Sequence, residues 1–121
     1  LRALDEAPDL ADAQLAMGYF LLELHEIDQA RPYYQKALKL APDLPEVQNN
    51  YGVYLCRTGQ PKASIEYFLS AASNPHYLHP ESAYENAGVC ALKIPDKRRA
   101  KGYFRKAHRY THQTMQSLLE I

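Results

Sequence analysis

Apolar and small residues recur along this chain with the spacing of an amphipathic helix, and short polar segments interrupt the pattern at regular intervals. Residues 49–71 contain the clearest unit. A first helix is expected to run to about Arg57, residues 58–60 form a turn, and Pro61 opens a second helix. Proline is favoured at this place because the first N–H of a helix has no backbone acceptor. The pattern therefore predicts an α-hairpin.

Gly52 lies inside the first of these two predicted helices. Glycine costs about 1 kcal/mol relative to alanine in a helix interior, so its presence indicates close approach of another chain segment. The second helix offers small residues at contact spacing: Ala63, Ser64 and Ala71. We expect small residues to face small residues here, with Tyr67 and Phe68 filling the space beside them.

The same unit recurs along the chain. Gly18 and Gly52 are 34 residues apart, and the step from Gly52 to Gly88 is 36, which indicates a two-residue insertion in the connection 73–80. A helix–turn–helix unit repeated every 34 residues is the signature of the tetratricopeptide repeat (TPR). The predicted fold is an all-α TPR superhelix of antiparallel helix hairpins.

We expect one array with five parts: the end of a truncated repeat (1–10), three repeats (11–44, 45–80 with the insertion, and 81–113) and the start of a further helix (114–121). This division treats the sequence as an excerpt of a longer array. A targeting signal or a membrane anchor would then lie outside this sequence.

Composition narrows the class of function. The 121 residues are 46% hydrophobic and 23% charged, which is ordinary for a soluble folded domain and argues against disorder. The sequence contains no glycine-rich phosphate loop, nucleophile elbow or zinc-ligand spacing. His76 and His79 lie close together between prolines, where a plain loop is a better interpretation than a metal site. We therefore expect no enzymatic activity, no metal and no cofactor.

The two cysteines, Cys56 and Cys90, are 34 residues apart, and we expect them at corresponding places in neighbouring repeats. Packed helices lie about 8–10 Å apart, beyond the roughly 7 Å between Cα atoms that a disulfide tolerates. This reasoning predicts free, partly buried thiols.

Charge is distributed unevenly. Residues 1–30 hold seven acidic side chains and one arginine, a net charge of −6, whereas residues 91–121 hold eight basic and two acidic side chains, a net charge of +6. These charges could be neutralised by neighbouring repeats outside the sequence, dock an anionic partner, or support self-association through opposite ends. Nucleic acid is the least favoured partner, because Phe104 is a repeat core position and no free aromatic ladder remains for bases.

First helices line the concave face of a stacked hairpin array. The side chains projected onto that face, on the side away from Gly52, are mostly apolar. They either pack against neighbouring first helices or form a shallow groove for an amphipathic helix or extended peptide. Asn50 and Asn86 could hydrogen-bond a peptide backbone or the neighbouring backbone of the array. The candidate groove residues are Leu15, Tyr19, Leu22, Asn49, Asn50, Val53, Cys56, Asn86, Val89 and Leu92.

Four segments carry a more specific resemblance: residues 49–52 (NNYG), the lengthened connection through Tyr77 and Pro80, residues 84–90 (YENAGVC) and residues 100–104 (AKGYF). Together they resemble the PilF/PilW family, the TPR proteins of type IV pilus biogenesis and stability. The resemblance implies a lipoprotein at the periplasmic face of the outer membrane. It also implies a pilotin role, in which the protein helps the pilus secretin localise and assemble. The partner would be a hydrophobic or amphipathic segment of a secretin subunit, and membrane attachment would require an anchor outside this sequence.

One alternative function remains open from the sequence. A TPR array also occurs as an adaptor domain, here of a larger regulatory or glycan-handling enzyme. A lipid-attachment motif upstream would favour the pilotin interpretation, and a catalytic domain downstream would favour the adaptor.

Overall fold

The structure is a computed structural model that describes the backbone of residues 2–119 and the side chains of residues 8–112. Within the described backbone there are six helices and no strand, which confirms the all-α prediction. The helices are α1 (Arg2–Glu23), α2 (Ile27–Leu40), α3 (Pro45–Arg57), α4 (Pro61–Ala72), α5 (Pro80–Ala91) and α6 (Lys97–Leu119). None of the helices in the part of the chain described here has the length and apolarity needed to cross a bilayer.

The helices pack as three consecutive hairpins, α1–α2, α3–α4 and α5–α6. The hairpins stack because α4 packs on α5, and because the first helices α1, α3 and α5 contact one another in sequence order. The first helices α1 and α3 are therefore each covered on one side by their own second helix and on another by the next hairpin. This arrangement is the stacked hairpin array that the 34-residue step predicts.

Each repeat glycine faces an aromatic ring of its own hairpin: Gly18 faces Tyr34, Gly52 faces Phe68, and Gly88 faces Phe104. A Cβ atom added to Gly52 would lie 2.6 Å from the ring of Phe68, closer than any real Cβ contact. The expectation that small residues face Gly52 was therefore wrong. The ring occupies the space that the missing side chain leaves, while the small residues Ser64 and Ala71 are buried on the side of α4 that faces α5.

The first two hairpins turn in the same way. His25 and Gly59, each seven residues after a repeat glycine, have φ values of 61° and 86° in the left-handed region. In both turns the next N–H returns to the helix, from Glu26 to the Leu21 carbonyl at 2.9 Å and from Gln60 to the Leu55 carbonyl at 2.8 Å. This bond closes the helix end as a Schellman motif does.

The third hairpin has Pro95 in the corresponding place, and proline cannot adopt a positive φ. Its turn is accordingly longer, covering residues 92–96. Asp96 then caps α6 by accepting a hydrogen bond from the Arg99 N–H at 3.1 Å.

The connection between α4 and α5, residues 73–79, is ordered by its own side chains. The Asn74 carboxamide oxygen accepts a hydrogen bond from the His76 N–H at 2.9 Å. Tyr77 is buried against the alanines of α4 and α5, and this burial raises its pKa to about 12. The longer connection is therefore a packed part of the array, and it sets where α5 lies against α3.

The ends of the array differ from expectation. We expected helix boundaries near residues 10 and 113, but α1 runs through Pro8 and α6 runs without a break to Leu119. An interior proline removes one backbone hydrogen bond, and the two alanines and two leucines within four residues of Pro8 favour helix. Residues 1, 120 and 121 lie outside the described backbone, and the division into repeats remains a prediction.

Candidate protein-binding groove

An open depression of about 370 Å³ lies on the face shared by the first helices, and we call it the central groove. Its walls come from α1, α3 and α5, with one aromatic residue of α4 at its base. It is lined by Tyr19, Val53, Cys56, Arg57, Phe68, Asn86, Val89 and Lys93.

The apolar part of the central groove is one row of equivalent side chains. Tyr19, Val53 and Val89 each follow a repeat glycine by one residue, and the row crosses α1, α3 and α5. Tyr19 is 45% exposed and Val89 is 50% exposed, whereas Val53 is half-buried. These three are predicted groove residues that the structure brings together on one accessible surface.

A second predicted row lies at the junctions between first helices. Leu22, Cys56 and Leu92 each follow a repeat glycine by four residues. Leu22 is buried in the core cluster that includes Leu55 of α3, Cys56 is bonded to α5, and Leu92 is 53% exposed. Leu22 and Cys56 are each covered by the next first helix, whereas no further first helix follows α5 among the described residues to cover Leu92. Leu22 and Cys56 of this row therefore pack between first helices, which is one of the two alternatives that the sequence left open.

Leu15 is likewise a core residue, only 4% exposed, because α1 is packed by both α2 and α3. Leu15 and Leu22 are predicted groove residues, but their burial leaves them almost no surface for a partner.

The asparagines are engaged within the array. The Asn50 amide donates to the Glu46 carbonyl of its own helix at 2.7 Å. The Asn86 amide donates to the Asn49 side-chain oxygen at 3.2 Å, which joins α5 to α3. Of the two roles considered for Asn50 and Asn86, hydrogen bonding inside the array is the one that these contacts support.

The prediction of free thiols was wrong, since Cys56 and Cys90 form a disulfide between α3 and α5. The two-residue insertion explains the error. Cys56 follows Gly52 by four residues but Cys90 follows Gly88 by two, so the cysteines are not at corresponding places. Their Cα atoms are 6.0 Å apart, within the range of a disulfide. The Ser64 hydroxyl lies 3.3 Å from the buried Cys90 sulfur and can donate to it.

A charged row that the sequence analysis did not identify borders the central groove. Glu23, Arg57 and Lys93 each follow a repeat glycine by five residues. Arg57 forms an ion pair with Glu23, and the Lys93 ammonium donates to the Cys56 carbonyl at 3.4 Å. The Arg57 guanidinium also lies 5.7 Å from the centre of the Tyr19 ring. The row could have been predicted from the sequence, because a charged residue occurs at the same position of each repeat.

The ion pair changes the titration of both partners. The hydrogen bond from Arg57 lowers the pKa of Glu23 below its ordinary value, and the same bond raises the pKa of Arg57. Both side chains remain nearly half exposed, so water and salt screen the pair.

The residues considered for a metal do not converge. His79 lies in the α4–α5 connection with its Nδ1 atom 3.3 Å from a Glu81 carboxylate oxygen, as a pair. Among the described residues there is no group of three histidine, cysteine, aspartate or glutamate side chains that could hold a metal ion.

Comparison with known proteins agrees with this architecture. A family model described as tetratricopeptide repeat matches residues 1–45 and 15–83. The type IV pilus assembly protein PilF of Pseudomonas aeruginosa is 28% identical over 120 residues, covering 99% of this chain and 48% of PilF. An uncharacterized protein of Haemophilus influenzae is 28% identical over 76 residues, covering 63% of this chain and 42% of that protein.

Two solved structures share the fold. The crystal structure of PilW, whose title describes a widely conserved type IV pilus biogenesis factor, aligns with a TM-score of 0.81 and 31% identity over 89% of this chain and 50% of PilW. A structure of Pseudomonas aeruginosa PilF aligns with a TM-score of 0.51 and 21% identity over 85% of this chain and 62% of PilF, which bears on the fold alone.

The chain spans about half the length of the curated PilF sequence and of the PilW structure. The resemblance to PilF and PilW drawn from the sequence motifs is confirmed by these matches. The family model covers well over half of the residues. The chain belongs to the tetratricopeptide repeat family, and its homologues include the type IV pilus biogenesis proteins PilF and PilW.

Proposed function

We propose that this chain is a non-enzymatic, pilotin-like scaffold of type IV pilus biogenesis that binds a hydrophobic or amphipathic segment of the pilus secretin in its central groove. The observation that carries the proposal is the accessible apolar row of Tyr19, Val53 and Val89, crossing three helices. The homology to PilF and PilW supports the biological setting, and the partner segment follows from the chemistry of the groove.

The dimensions of the row suit a short protein segment. Neighbouring helices pack about 8–10 Å apart, so a row across three first helices spans roughly 16–20 Å. An extended strand covers that length with about five or six residues, and an α-helix with about three to four turns. Burying an exposed valine or tyrosine side chain contributes about 1.5–3 kcal/mol. Arg57 and Lys93 at the rim add charge for the polar side of such a segment.

The Cys56–Cys90 disulfide supports a location in the cell envelope. Structural disulfides form and persist in oxidising compartments such as the bacterial periplasm and are rare in the cytosol. This agrees with a scaffold at the periplasmic face of the outer membrane. In this role the scaffold would assist localisation and assembly of the secretin.

Val89→Asp is the sharpest test of the groove, because Val89 is half exposed and its side chain supports little of the core. We expect binding to purified periplasmic secretin fragments, measured by calorimetry, to weaken at least about tenfold, since a charge replaces a buried apolar contact. Val53→Asp is less suitable because Val53 packs against both large core clusters. Its substitution would lower stability as well as affinity.

Leu78→Asp is the matched control, since Leu78 is 79% exposed on the α4–α5 connection, away from the groove lining. It should leave binding unchanged, and circular dichroism should show that both variants keep their helices. Equal affinity of the Val89→Asp variant and the parent chain would contradict the proposal. Unfolding of the Val89→Asp variant would show instead that Val89 is a core residue.

A further inference from the structure

Helix α6 carries a strongly basic surface that the central groove does not use. Its first thirteen residues hold seven lysine and arginine side chains, and residues 97–119 contain no aspartate or glutamate. All seven are exposed, whereas Ala100 and Ala107 of the same helix are buried. We call this surface the basic face: Lys97, Arg98, Arg99, Lys101, Arg105, Lys106 and Arg109.

The charges of the basic face are not neutralised within the part of the chain whose side chains are described. The ion pairs found there join Asp28 to Arg31, Glu23 to Arg57 and Glu81 to His79, and none involves α6. Lys97, Lys101 and Arg105 are spaced four residues apart, and like charges at this spacing destabilise a helix. An anionic partner would remove that repulsion.

A concave site interrupts the basic face. Tyr84 of α5 and Lys106, Arg109 and Tyr110 of α6 enclose a depression of about 240 Å³, which we call the tyrosine pocket. The rings of Tyr84 and Tyr110 stack with their centres 5.7 Å apart and their planes 17° from parallel. The Lys106 ammonium lies 5.5 Å from the centre of the Tyr84 ring. Lys106 and Arg109 can pair with a carboxylate, and the tyrosine rings beside them offer apolar surface to a neighbouring side chain.

We propose that the basic face docks an acidic protein segment, with the tyrosine pocket as the anchor point for one of its side chains. This site shares no lining residue with the central groove and does not depend on the function proposed for it. Charge complementarity selects an acidic segment, and the concave pocket selects a partner with side chains.

Other anionic partners fit the surface less well. A flat lipid headgroup layer would contact the outermost cations and leave the tyrosine pocket unfilled. Nucleic acid bases stack on free aromatic faces, whereas Tyr84 and Tyr110 stack on each other.

A fluorescein-labelled synthetic peptide of six glutamates around one phenylalanine is the probe for this site. We expect fluorescence anisotropy to detect binding at low salt that weakens at least about tenfold when ionic strength is raised from about 0.05 to 0.3 M. The same peptide with glutamine for every glutamate should not bind. The double variant Lys106→Glu with Arg109→Glu should lose at least about tenfold in affinity by charge reversal.

The chain offers a matched control on α2, where Lys36 and Lys39 line a similar open depression beside Tyr33. The double variant Lys36→Glu with Lys39→Glu has the same change in net charge and should bind the acidic peptide within about twofold of the parent chain. Circular dichroism confirms that both variants are folded.

Three results would overturn the proposal. Equal loss of peptide binding in both double variants would show that the peptide is attracted by the net charge of the chain and has no specific site on α6. Binding to anionic lipid vesicles that the peptide does not displace would assign the basic face to a membrane. A salt-sensitive dimer in sedimentation, absent in the Lys106→Glu, Arg109→Glu variant, would assign it to a second copy of the chain.

Discussion

Contacts inside the hairpins and contacts between the first helices follow different rules in this array. Inside each hairpin the chemistry is the same, because a glycine admits an aromatic ring from the second helix. Between first helices the chemistry changes at each junction. An exposed ion pair between Glu23 and Arg57 joins α1 to α3, whereas a disulfide and the Asn49–Asn86 hydrogen bond join α3 to α5.

This difference between the two kinds of contact shows which contacts can be predicted from the repeat length. Residues within one hairpin keep a fixed separation, so a repeated pattern specifies their contacts. Residues in neighbouring hairpins also depend on the connection between them, and the two-residue insertion before α5 changes which side chains meet. The strengths of these two kinds of contact can be measured separately.

The disulfide should dominate the α3–α5 junction. Reducing the Cys56–Cys90 bond opens a loop of 34 residues and should lower the free energy of unfolding by about 4 kcal/mol, chiefly through the entropy of the unfolded chain. Urea denaturation with and without dithiothreitol measures this loss. The Cys56→Ala, Cys90→Ala variant is the control, since dithiothreitol should not change its stability. A loss below about 1 kcal/mol would show that noncovalent contacts hold this junction.

The glycine contacts inside the hairpins should come next. Gly52→Leu forces a side chain into the Phe68 ring, only 2.6 Å from the position of its Cβ atom. Overpacking of this kind should lower the free energy of unfolding by about 1–3 kcal/mol, as measured in urea.

Gly102→Ala is the internal comparison for that measurement. A Cβ at Gly102 meets no atom within 4 Å, so alanine should stabilise α6 by up to about 1 kcal/mol. If both substitutions changed the free energy of unfolding in the same direction, lack of space beside Gly52 would not be the reason for a glycine at that position.

The Glu23–Arg57 pair should give the smallest effect and a characteristic pH dependence. Arg57 lowers the pKa of Glu23 in the folded chain, so the pair stabilises the fold above the unfolded-state value of 4.5. This contribution is lost as the pH falls through the lower, folded-state pKa. Thermal unfolding between neutral and acid pH should therefore show a larger fall in Tm for the parent chain than for the Glu23→Gln variant. Identical pH profiles would mean that the pair contributes nothing in solution, as many exposed pairs do.

Much of the fold was accessible from the sequence because local signals agreed with the repeat. Gly52, the turn before Pro61 and the 34-residue step correctly predicted a first helix ending at Arg57 and a second helix beginning at Pro61. The partner of Gly52 was not predictable from composition alone. Which side of α4 faces α3 depends on the rotation of the helix, and that rotation places the Phe68 ring there rather than the small residues.

The candidate site was only partly accessible for a related reason. Tyr19, Val53 and Val89 were predicted as groove residues and do line the groove. Their position could be predicted because each follows a repeat glycine by one residue. Leu22 looked equivalent in pattern, but it is covered by the next first helix. The Cys56–Cys90 bond was not predicted, because the distance between the two cysteines depends on the connection that precedes α5. Helical periodicity gives no information about the conformation of that connection.

The packed connection at residues 73–79 also limits how freely this array could be redesigned. TPR hairpins are often treated as interchangeable modules. The third hairpin here, however, carries Cys90 of the disulfide, and the connection before this hairpin determines whether Cys90 can reach Cys56. Tyr77, buried in that connection, holds it against the neighbouring alanines. A protein engineer who transplants α5 and α6 onto another scaffold would need to move residues 73–79 with them, together with a cysteine on the receiving helix.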